Sequence, residues 1–397
     1  MKFIKNKYDI IFSLLIISLP FSKGIPNIIM GVLWIIFLID FKKEYFNKYF
    51  NSPHLFLSIT VVYLCLQAIL NESFILDIDF YKTYAYLIII PILFKKVEQI
   101  NVLKVASLLT INATIFISIF NIIQFYRAFN FLPFADTWAT NYVLVLERPY
   151  AGIFSVISVI ISFDLYTSFK TKFRYLFLLS LVISVLFIAF ISIRISIATL
   201  LILFIVYVLA YLKSTRTQKL FFLSGVLGFF SLILIFNGNV AKRFFIKDSL
   251  HHTVEKTKQL EPRVIIWNCA YQITQQSDFS CFFGTDSYSN IKKSLVECYE
   301  VKVEDTSRKA WFLQRKFNTH SQIIDIYLIG GIVGVLLLLG YFVRSFSFNH
   351  NNFYAVAILL SFLFLMCIEN VLHRQFGGLI FSIFTALYTT KNQECQD

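Results

Sequence analysis

The sequence predicts an all-α polytopic membrane protein with about twelve transmembrane helices and one large external loop. Of its 397 residues, 57% are hydrophobic and 15% charged, and the mean hydropathy is +0.70. A soluble protein cannot bury that much apolar surface, so a bilayer must be the main solvent. Apolar stretches of helical length recur along the chain. A single long hydrophilic segment, about 238–321, interrupts them.

The apolar stretches are separated by short polar loops. The predicted spans lie near 9–22, 25–40, 55–70, 81–94, 102–124, 150–168, 175–192, 196–212, 220–237, 322–343, 353–369 and 376–389. Several are short for a crossing of ~20 residues, so ten or eleven spans also fit. The first pair also fits a re-entrant hairpin broken at 23–26. The basic start MKFIKNK leads into an apolar stretch without a cleavage site, so the first span is expected to be retained.

Lysine and arginine are unevenly divided between the two sets of short loops. One set holds 17 of them: Lys2, Lys5, Lys7, Lys42, Lys43, Lys48, Lys95, Lys96, Lys104, Lys170, Lys172, Arg174, Lys213, Arg216, Lys219, Arg344 and Lys391. The other set holds six: Lys23, Lys82, Arg127, Arg148, Arg194 and Arg374. Because cytoplasmic loops accumulate positive charge, we expect both termini in the cytoplasm and 238–321 outside.

Two helices are expected inside the external segment. In EPRVIIWNCAYQITQQ (261–276), Pro262 suits the first helical position and Glu261 the positive end. A turn-rich stretch around Gly284 follows, and a second helix is expected near 288–300. The apolar face predicted for the first helix comprises Val264, Trp267, Ala270 and Tyr271, with Cys269 as a further candidate.

The six cysteines fall into different environments. Cys65 and Cys367 lie within predicted spans and act as apolar filler. Cys269, Cys281 and Cys298 lie in the external segment, where an oxidising compartment would allow a disulfide. A Cys281–Cys298 bridge is one candidate, but spacing does not choose among the three pairings. No cysteine or histidine cluster indicates a metal site.

A histidine stands where the tenth predicted span begins, in FNTHSQIIDIYLIGGIVG (317–334). Thr319 and Gln322 fit a capping box, which would place His320 in the first helical turn. There the helix dipole disfavours a proton on the imidazole, and a neutral imidazole can act as a general base. The alternative is an interfacial histidine that anchors the span.

Three arginines share the predicted outer side with His320. Arg194 interrupts an apolar run in FISIRISIATL, Arg148 precedes Pro149 at the start of the sixth span, and Arg263 opens the external helix. Each also has a simpler explanation: Arg194 can snorkel to the interface, Arg148 can anchor its span, and Arg263 can be a solvated charge. Together they suit a diphosphate, because guanidinium forks match phosphate oxygens.

These residues resemble a known family. The order RPYAGIF, SIRIS, PRVIIW…FGTDSYSN and THSQIIDIYLIGGIVGVL is similar to the O-antigen ligase and O-antigen polymerase superfamily of bacterial membrane glycosyltransferases, most closely over about 190–345. The resemblance covers the order of Arg and Trp in the external helix, a Gly-containing turn, and a His that begins a span ending in Gly-x-x-Gly. Ser321 stands where the family more often has Asn.

The resemblance implies a GT-C-like fold and a metal-independent, inverting transfer of a glycan from undecaprenyl diphosphate. His320 would be the catalytic base, Arg194 and Arg263 would bind the diphosphate, and Arg148 is a further match. The acceptor would be a lipid A–core sugar in a ligase, or another glycan in a polymerase. No cofactor, metal or nucleic acid is expected, and membrane lipids are expected partners.

The implied location is the bacterial inner membrane. Residues 1–237 would carry helices 1–9, residues 238–321 a periplasmic loop domain with short helices, and residues 322–397 helices 10–12. Two alternatives remain. Asp77 and Asp79 form an Asp-x-Asp pair that a metal-dependent glycosyltransferase would use. A transporter or flippase for lipid-linked glycans would fit twelve spans, with Asp164 and Asp325 as ionisable groups in helices.

Overall fold

The structure, a computed structural model, describes residues 7–134, 137–236 and 261–389. Within these ranges every regular element is helical, apart from an isolated bridge between Ser280 and Gly284. The predicted all-α fold is therefore confirmed for this part of the chain. Some predictions fall outside the described residues: part of the predicted external segment (238–260), the last position of the ninth span (237), and Lys2, Lys5 and Lys391.

An apolar helix or a pair of helices coincides with each predicted span. The amino-terminal helices are α1 Lys7–Ser18, α2 Ile25–Ile39, α3 Lys43–Phe50, α4 His54–Leu70, α5 Ile78–Tyr84, α6 Tyr86–Phe94, α7 Ile100–Phe129, α8 Thr137–Val143, α9 Arg148–Ser168, α10 Arg174–Phe190, α11 Arg194–Val206 with a π-helical turn Tyr207–Tyr211, and α12 Arg216–Phe236. The later helices are α13 Pro262–Ile273, α14 Tyr288–Lys302, α15 Thr306–Arg315, α16 Gln322–Asn349, α17 Phe353–Ile368, a 3₁₀ turn Val371–His373, and α18 Gln375–Thr389.

The number of helices that can cross a bilayer is smaller than predicted. In the described ranges, α7, α9, α11 with its π turn, and α16 are long and apolar enough to span. The pair α2–α3, bent by 115°, would make a fifth span. The helices α4, α10, α17 and α18 are apolar but have only 10–17 residues. Membrane-helix character is thus confirmed, whereas the count of about twelve is not.

The core is built around α18. From Gly377 to Thr389 every residue of this helix is buried, and it packs mainly on α6 and α17. Its polar residues do not leave unpaired groups in the core. Ser382, Thr385 and Thr389 each donate a hydrogen bond to the carbonyl four residues earlier, a common way for hydroxyls to be satisfied in apolar helices. The start of α18 is consequently held in position by the helices that pack around it.

The short loops separate into two ends of the bundle. At one end, Lys96 pairs with Asp40 at 2.6 Å, and Asp9 accepts from the backbone N–H groups of Glu98 and Gln99. At the other end, Gln375 donates to the carbonyl of Lys23, and Arg374 pairs with Glu147. The loops predicted to be cytoplasmic thus meet each other, as do loops predicted to be external. We call the end that carries Lys23, Glu147 and Arg374 the site end.

The long helix α16 is broken at Gly331, and residues 281–285 fill the break. Gly331 has φ 58° and ψ −161°, a conformation that glycine alone adopts readily. The N–H of Ile332 donates to the carbonyl of Cys281 at 2.9 Å, and the carbonyl of Leu328 accepts from the N–H of Thr285 at 2.8 Å. The turn 281–285 therefore supplies the hydrogen bonds that the helix loses. It also fixes the position of α16, and hence of its first residues.

Replacing Gly331 with alanine should destabilise this junction. A Cβ at Gly331 would overlap the backbone of Phe282 and Phe283, and the backbone conformation alone costs about 1–3 kcal/mol for a non-glycine residue. We expect a clearly lower unfolding temperature for the purified protein in detergent. Gly31→Ala is the control, because a Cβ at Gly31 meets nothing within 4 Å. Equal unfolding temperatures for the two variants would contradict this account of the break.

Candidate functional site

Helices α13 and α14 are held together by a disulfide. Cys269 and Cys298 are bonded, with their Cα atoms 5.7 Å apart. Of the three pairings left open by the sequence, the Cys281–Cys298 candidate is therefore wrong. The reason is that α13 and α14 pack side by side with Cys269 fully buried between them. Cys281 is an exposed free thiol in the turn that fills the α16 break.

Loss of this disulfide should lower stability measurably. It closes a loop with a sequence separation of 29 residues, for which the chain-entropy model gives a contribution of about 3–4 kcal/mol. Cys298→Ser is expected to lower the unfolding temperature, and reductant should have the same effect on the wild-type protein. Cys281→Ser serves as the matched control and should leave the unfolding temperature unchanged. A reductant-insensitive wild-type protein would argue against the bridge.

Helix α13 begins as predicted, but it buries a different face. Glu261 is its N-cap and Pro262 its first residue. The buried residues are Ile266, Cys269, Ala270 and Ile273, whereas Val264, Trp267 and Tyr271 of the predicted face are 36%, 38% and 63% exposed. The prediction was wrong for these three because the helix packs through the neighbouring face, which carries Ile266, Cys269 and Ile273. The indole of Trp267 instead reaches the carbonyl of Thr319 at 3.0 Å, and so links α13 to the His320 segment.

The cap of α16 is also different from the prediction. Ser321, and not Thr319, is the N-cap, and its hydroxyl accepts from the N–H of Ile324. His320 therefore precedes the helix, in a left-handed conformation with φ 47°, and does not lie in the first turn. Gln322 is the first helical residue. Its side chain contacts the hydroxyl of Tyr84 and accepts from the N–H of Leu372, both at 2.8 Å, which ties α16 to the 3₁₀ turn.

Thr319 is buried at the centre of a polar network beneath His320. Its hydroxyl lies 3.2 Å from Oδ1 of Asp325 and accepts from Nδ2 of Asn370 at 3.0 Å. The other oxygen of Asp325 contacts Nε2 of His373. Nδ1 of His373 lies 3.0 Å from the hydroxyl of Tyr288. These contacts join the start of α16 to α14 and to the 3₁₀ turn, so the backbone on either side of His320 is held in place.

Tyr288 stays protonated in this network. Burial raises the pKa of its hydroxyl, and the carboxylates of Asp325 and Asp77 raise it further. A protonated hydroxyl can donate to Nδ1 of His373, which leaves Nε2–H of that imidazole to donate to Asp325. The imidazole of His373 thereby connects Tyr288, the first residue of α14, to Asp325 in the first turn of α16.

Glu369 brings His320 and Arg263 together. Its Oε1 is 3.1 Å from Nη2 of Arg263, and its Oε2 is 3.4 Å from Nδ1 of His320. The Glu369 side chain is only 12% exposed, while those of His320 and Arg263 are 24% and 30% exposed. Arg263 also pairs with Glu261 at 3.1 Å through Nη1. The carboxylate therefore orients the imidazole so that Nε2 can act as the base.

Arg148 and Arg194 are both associated with the turn between α10 and α11: Arg148 contacts its carbonyls, and Arg194 follows it in the chain. Nη2 of Arg148 donates to the carbonyl of Ile191 at 2.6 Å and lies 3.3 Å from the carbonyl of Ser192. These carbonyls belong to the end of α10, where a cation is favourable. Arg194 opens α11 two residues later and is exposed. Helices α9 and α11 approach closely here, because a Cβ at Gly152 would meet Ser196 and Ile193.

Arg374 connects the two groups of residues. It pairs with Glu147, the residue before Arg148, and it follows Glu369 by five positions. The loop 369–374 therefore has its first residue beside His320 and its last beside the start of α9. The predicted residues His320, Arg263 and Arg148 thus all have contacts that converge on the site end.

The acidic residues of the two alternative functions, the metal-dependent transferase and the transporter, have structural partners. Asp77 accepts hydrogen bonds from the backbone N–H groups of Tyr288 and Ser289 at 2.7 and 3.0 Å, and so caps α14. Asp79 pairs with Lys82 at 2.8 Å. Asp164 pairs with Lys104 at 2.7 Å, and Tyr388 donates to it at 2.9 Å. In the described residues no cluster of three or more His, Cys, Asp or Glu side chains has the arrangement of a metal site.

The comparison with protein families adds an independent observation. Residues 179–339 match the family model described as O-Antigen ligase. This match supports the O-antigen ligase superfamily for that part of the chain. No curated protein matches it. The match supports a membrane enzyme of the O-antigen ligase or polymerase type.

The O-antigen ligase match contains three of the four predicted site residues. Arg194, Arg263 and His320 lie within residues 179–339, whereas Arg148 precedes them and Glu369 follows them. Glu369, the carboxylate that His320 and Arg263 share, therefore lies outside the match.

Sequence reasoning missed Glu369 and Arg374 as site residues. A signal was present in CIENVLHRQFGG (367–378), where four charged or hydrogen-bonding residues fall between two apolar helices. The loop belongs to the same predicted side as His320. Ionisable groups at such a position are costly without partners, so they indicate interactions with the other loops of that side.

Proposed function

We propose that the protein is an O-antigen ligase-like glycosyltransferase. It transfers a glycan from undecaprenyl diphosphate to a hydroxyl of lipid A–core, at the periplasmic face of the inner membrane and without a metal ion. The observation that carries this proposal is the His320–Glu369–Arg263 arrangement inside and beside the O-antigen ligase match. The orientation is supported by the 17 to 6 distribution of Lys and Arg in the short loops, which favours cytoplasmic termini.

The chemistry follows from the roles of the side chains. The acceptor oxygen forms a bond to the anomeric carbon while the bond from that carbon to the diphosphate breaks. The acceptor proton passes to Nε2 of His320, which Glu369 orients through Nδ1. The electron pair of the broken bond stays on undecaprenyl diphosphate, whose charge the guanidinium groups stabilise. A single displacement of this kind inverts the anomeric configuration.

The arginines have different roles in this proposal. Arg194 is exposed at the start of α11 and binds the diphosphate, together with Arg263 beside His320. Arg148 donates to the carbonyls that precede Arg194. It therefore supports diphosphate binding by fixing the turn that carries Arg194.

A deletion strain tests the function. A strain without the gene is expected to make lipopolysaccharide with a bare core and to accumulate polymeric glycan on the lipid carrier. A strain that has lost an O-antigen polymerase would instead attach single repeat units to the core. Gel analysis of the lipopolysaccharide together with extraction of the lipid-linked pool separates the two outcomes. Full-length polymer on the core in the deletion strain would contradict both.

A further inference from the structure

A cavity of about 610 Å³ opens at the site end, between three segments of the chain. It is lined by residues 19–23, 145–147 and 374–376, with Tyr150, Pro26 and Leu379 deeper in. Its size falls within the range of small-molecule sites, about 300–1,000 Å³. None of the predicted site residues lines it, so it is a separate feature of the molecule.

The cavity is a neighbour of the His320 arrangement. Arg374 lines the cavity and Glu369 contacts His320. The two residues are five positions apart, so the chain between their Cα atoms spans at most about 18 Å. Glu369 also acts electrostatically on both Arg374 and Tyr150. The cavity therefore shares the loop 369–374 with the carboxylate that contacts His320.

Tyr150 carries an unsatisfied polar group at this cavity. Tyr150 is only 4% exposed, and its hydroxyl has no hydrogen-bond partner among the described residues. The ring is held between Phe376, with ring centroids 5.6 Å apart, and the guanidinium of Arg374, 5.6 Å above the ring. A Cβ at Gly377 would overlap the carbonyl of Val371 and stand 3.1 Å from the hydroxyl, so the backbone packs closely on this side of Tyr150. Buried hydroxyls are normally paired, which indicates a ligand partner.

The lining suits a sugar. The floor is apolar, with Leu19, Val145 and Phe376, and matches the C–H face of a pyranose ring. The Arg374–Glu147 pair offers donors and acceptors for hydroxyl groups, and Lys23 adds a further donor. A diphosphate is less suited, since Glu147 offsets one of the cations. An isoprenoid chain is less suited, since it cannot use these charged groups.

We propose that this cavity binds a sugar of the acceptor glycan, with the Tyr150 hydroxyl bonded to a hydroxyl of that sugar. The proposal rests on the proposed function, because it assigns the acceptor to one side of the His320 base and the lipid-linked donor to another.

Tyr150→Phe tests the proposal with a change of one oxygen atom. In proteoliposomes supplied with undecaprenyl-diphosphate-linked glycan and lipid A–core, KM for the acceptor should rise about tenfold, as expected for one lost hydrogen bond. KM for the donor and kcat should stay the same. Tyr126→Phe is the control, because Tyr126 is 50% exposed on α7 and away from the cavity. An unchanged acceptor KM, or a raised donor KM, would overturn the proposal.

A binding measurement separates failure of this proposal from failure of the proposed function. His320→Ala protein in nanodiscs is titrated with core oligosaccharide released from lipid A by mild acid. Adding Tyr150→Phe, or Arg374→Gln, should weaken binding about tenfold without lowering the unfolding temperature. Unchanged binding in both variants, or displacement of the oligosaccharide by undecaprenyl phosphate, would overturn the assignment. If the wild-type protein transfers no glycan, the proposed function fails, while these titrations still decide what the cavity binds.

Discussion

Replacing His320 with alanine is expected to reduce glycan transfer about 10²- to 10⁴-fold, the usual contribution of a general base. Protein level, membrane insertion and unfolding temperature should stay near wild type, because the imidazole is 24% exposed and contacts few side chains, among them Glu369 and Phe317. Transfer is measured with purified protein as the release of undecaprenyl diphosphate. The loss should appear in kcat, since the base acts in the transition state.

His350→Ala is the matched control for this variant. His350 follows the last residue of α16, at the opposite end of the same helix, where its carbonyl accepts from Tyr211. The His350→Ala protein should retain full activity. A His320→Ala protein as active as the His350→Ala protein would remove His320 from the mechanism.

Glu369→Gln should produce the second largest effect, a fall in kcat on the order of 10²-fold, the lower end of the range for acid–base catalysis. The amide keeps the shape of the side chain but loses the charge that faces both Nδ1 of His320 and the guanidinium of Arg263. The imidazole would then be free to adopt the other tautomer. We expect KM for the acceptor to stay the same, because Glu369 does not line the cavity.

Two further variants distinguish positioning from a structural role. Glu369→Asp retains the charge and should recover part of kcat. Glu304→Gln, at an exposed residue between α14 and α15, should have no effect. If Glu369→Gln lowered only the amount of folded protein, with kcat per folded molecule unchanged, Glu369 would be a structural residue.

Local sequence signals predicted most helices because they depend on neighbouring residues. Each predicted span coincides with a helix or a helix pair in the described residues. The start of α13 at Pro262, with Glu261 as its cap, follows from the missing N–H of proline and the positive end of the helix. A family resemblance found in the sequence was confirmed by the match over residues 179–339.

Features that depend on long-range contacts were not predictable in this way. The partner of Cys298 is set by how α13 lies against α14, which spacing does not encode. Thr319 reads as a cap in the sequence, but its hydroxyl is engaged by Asn370, 51 residues later. Glu369 reaches Arg263 across 106 positions. The candidate site is assembled from loops that are distant in sequence, so its orienting carboxylate appears only in the fold.

On the proposed mechanism, glycan transfer from a polyprenyl diphosphate takes place at the His320–Glu369–Arg263 arrangement. The most direct measurement is transfer by purified protein in liposomes that contain only undecaprenyl-diphosphate-linked glycan and lipid A–core. Wild-type protein is expected to release one undecaprenyl diphosphate for each glycan attached, and His320→Ala protein is expected to release almost none. Equal release by both proteins would contradict the claim.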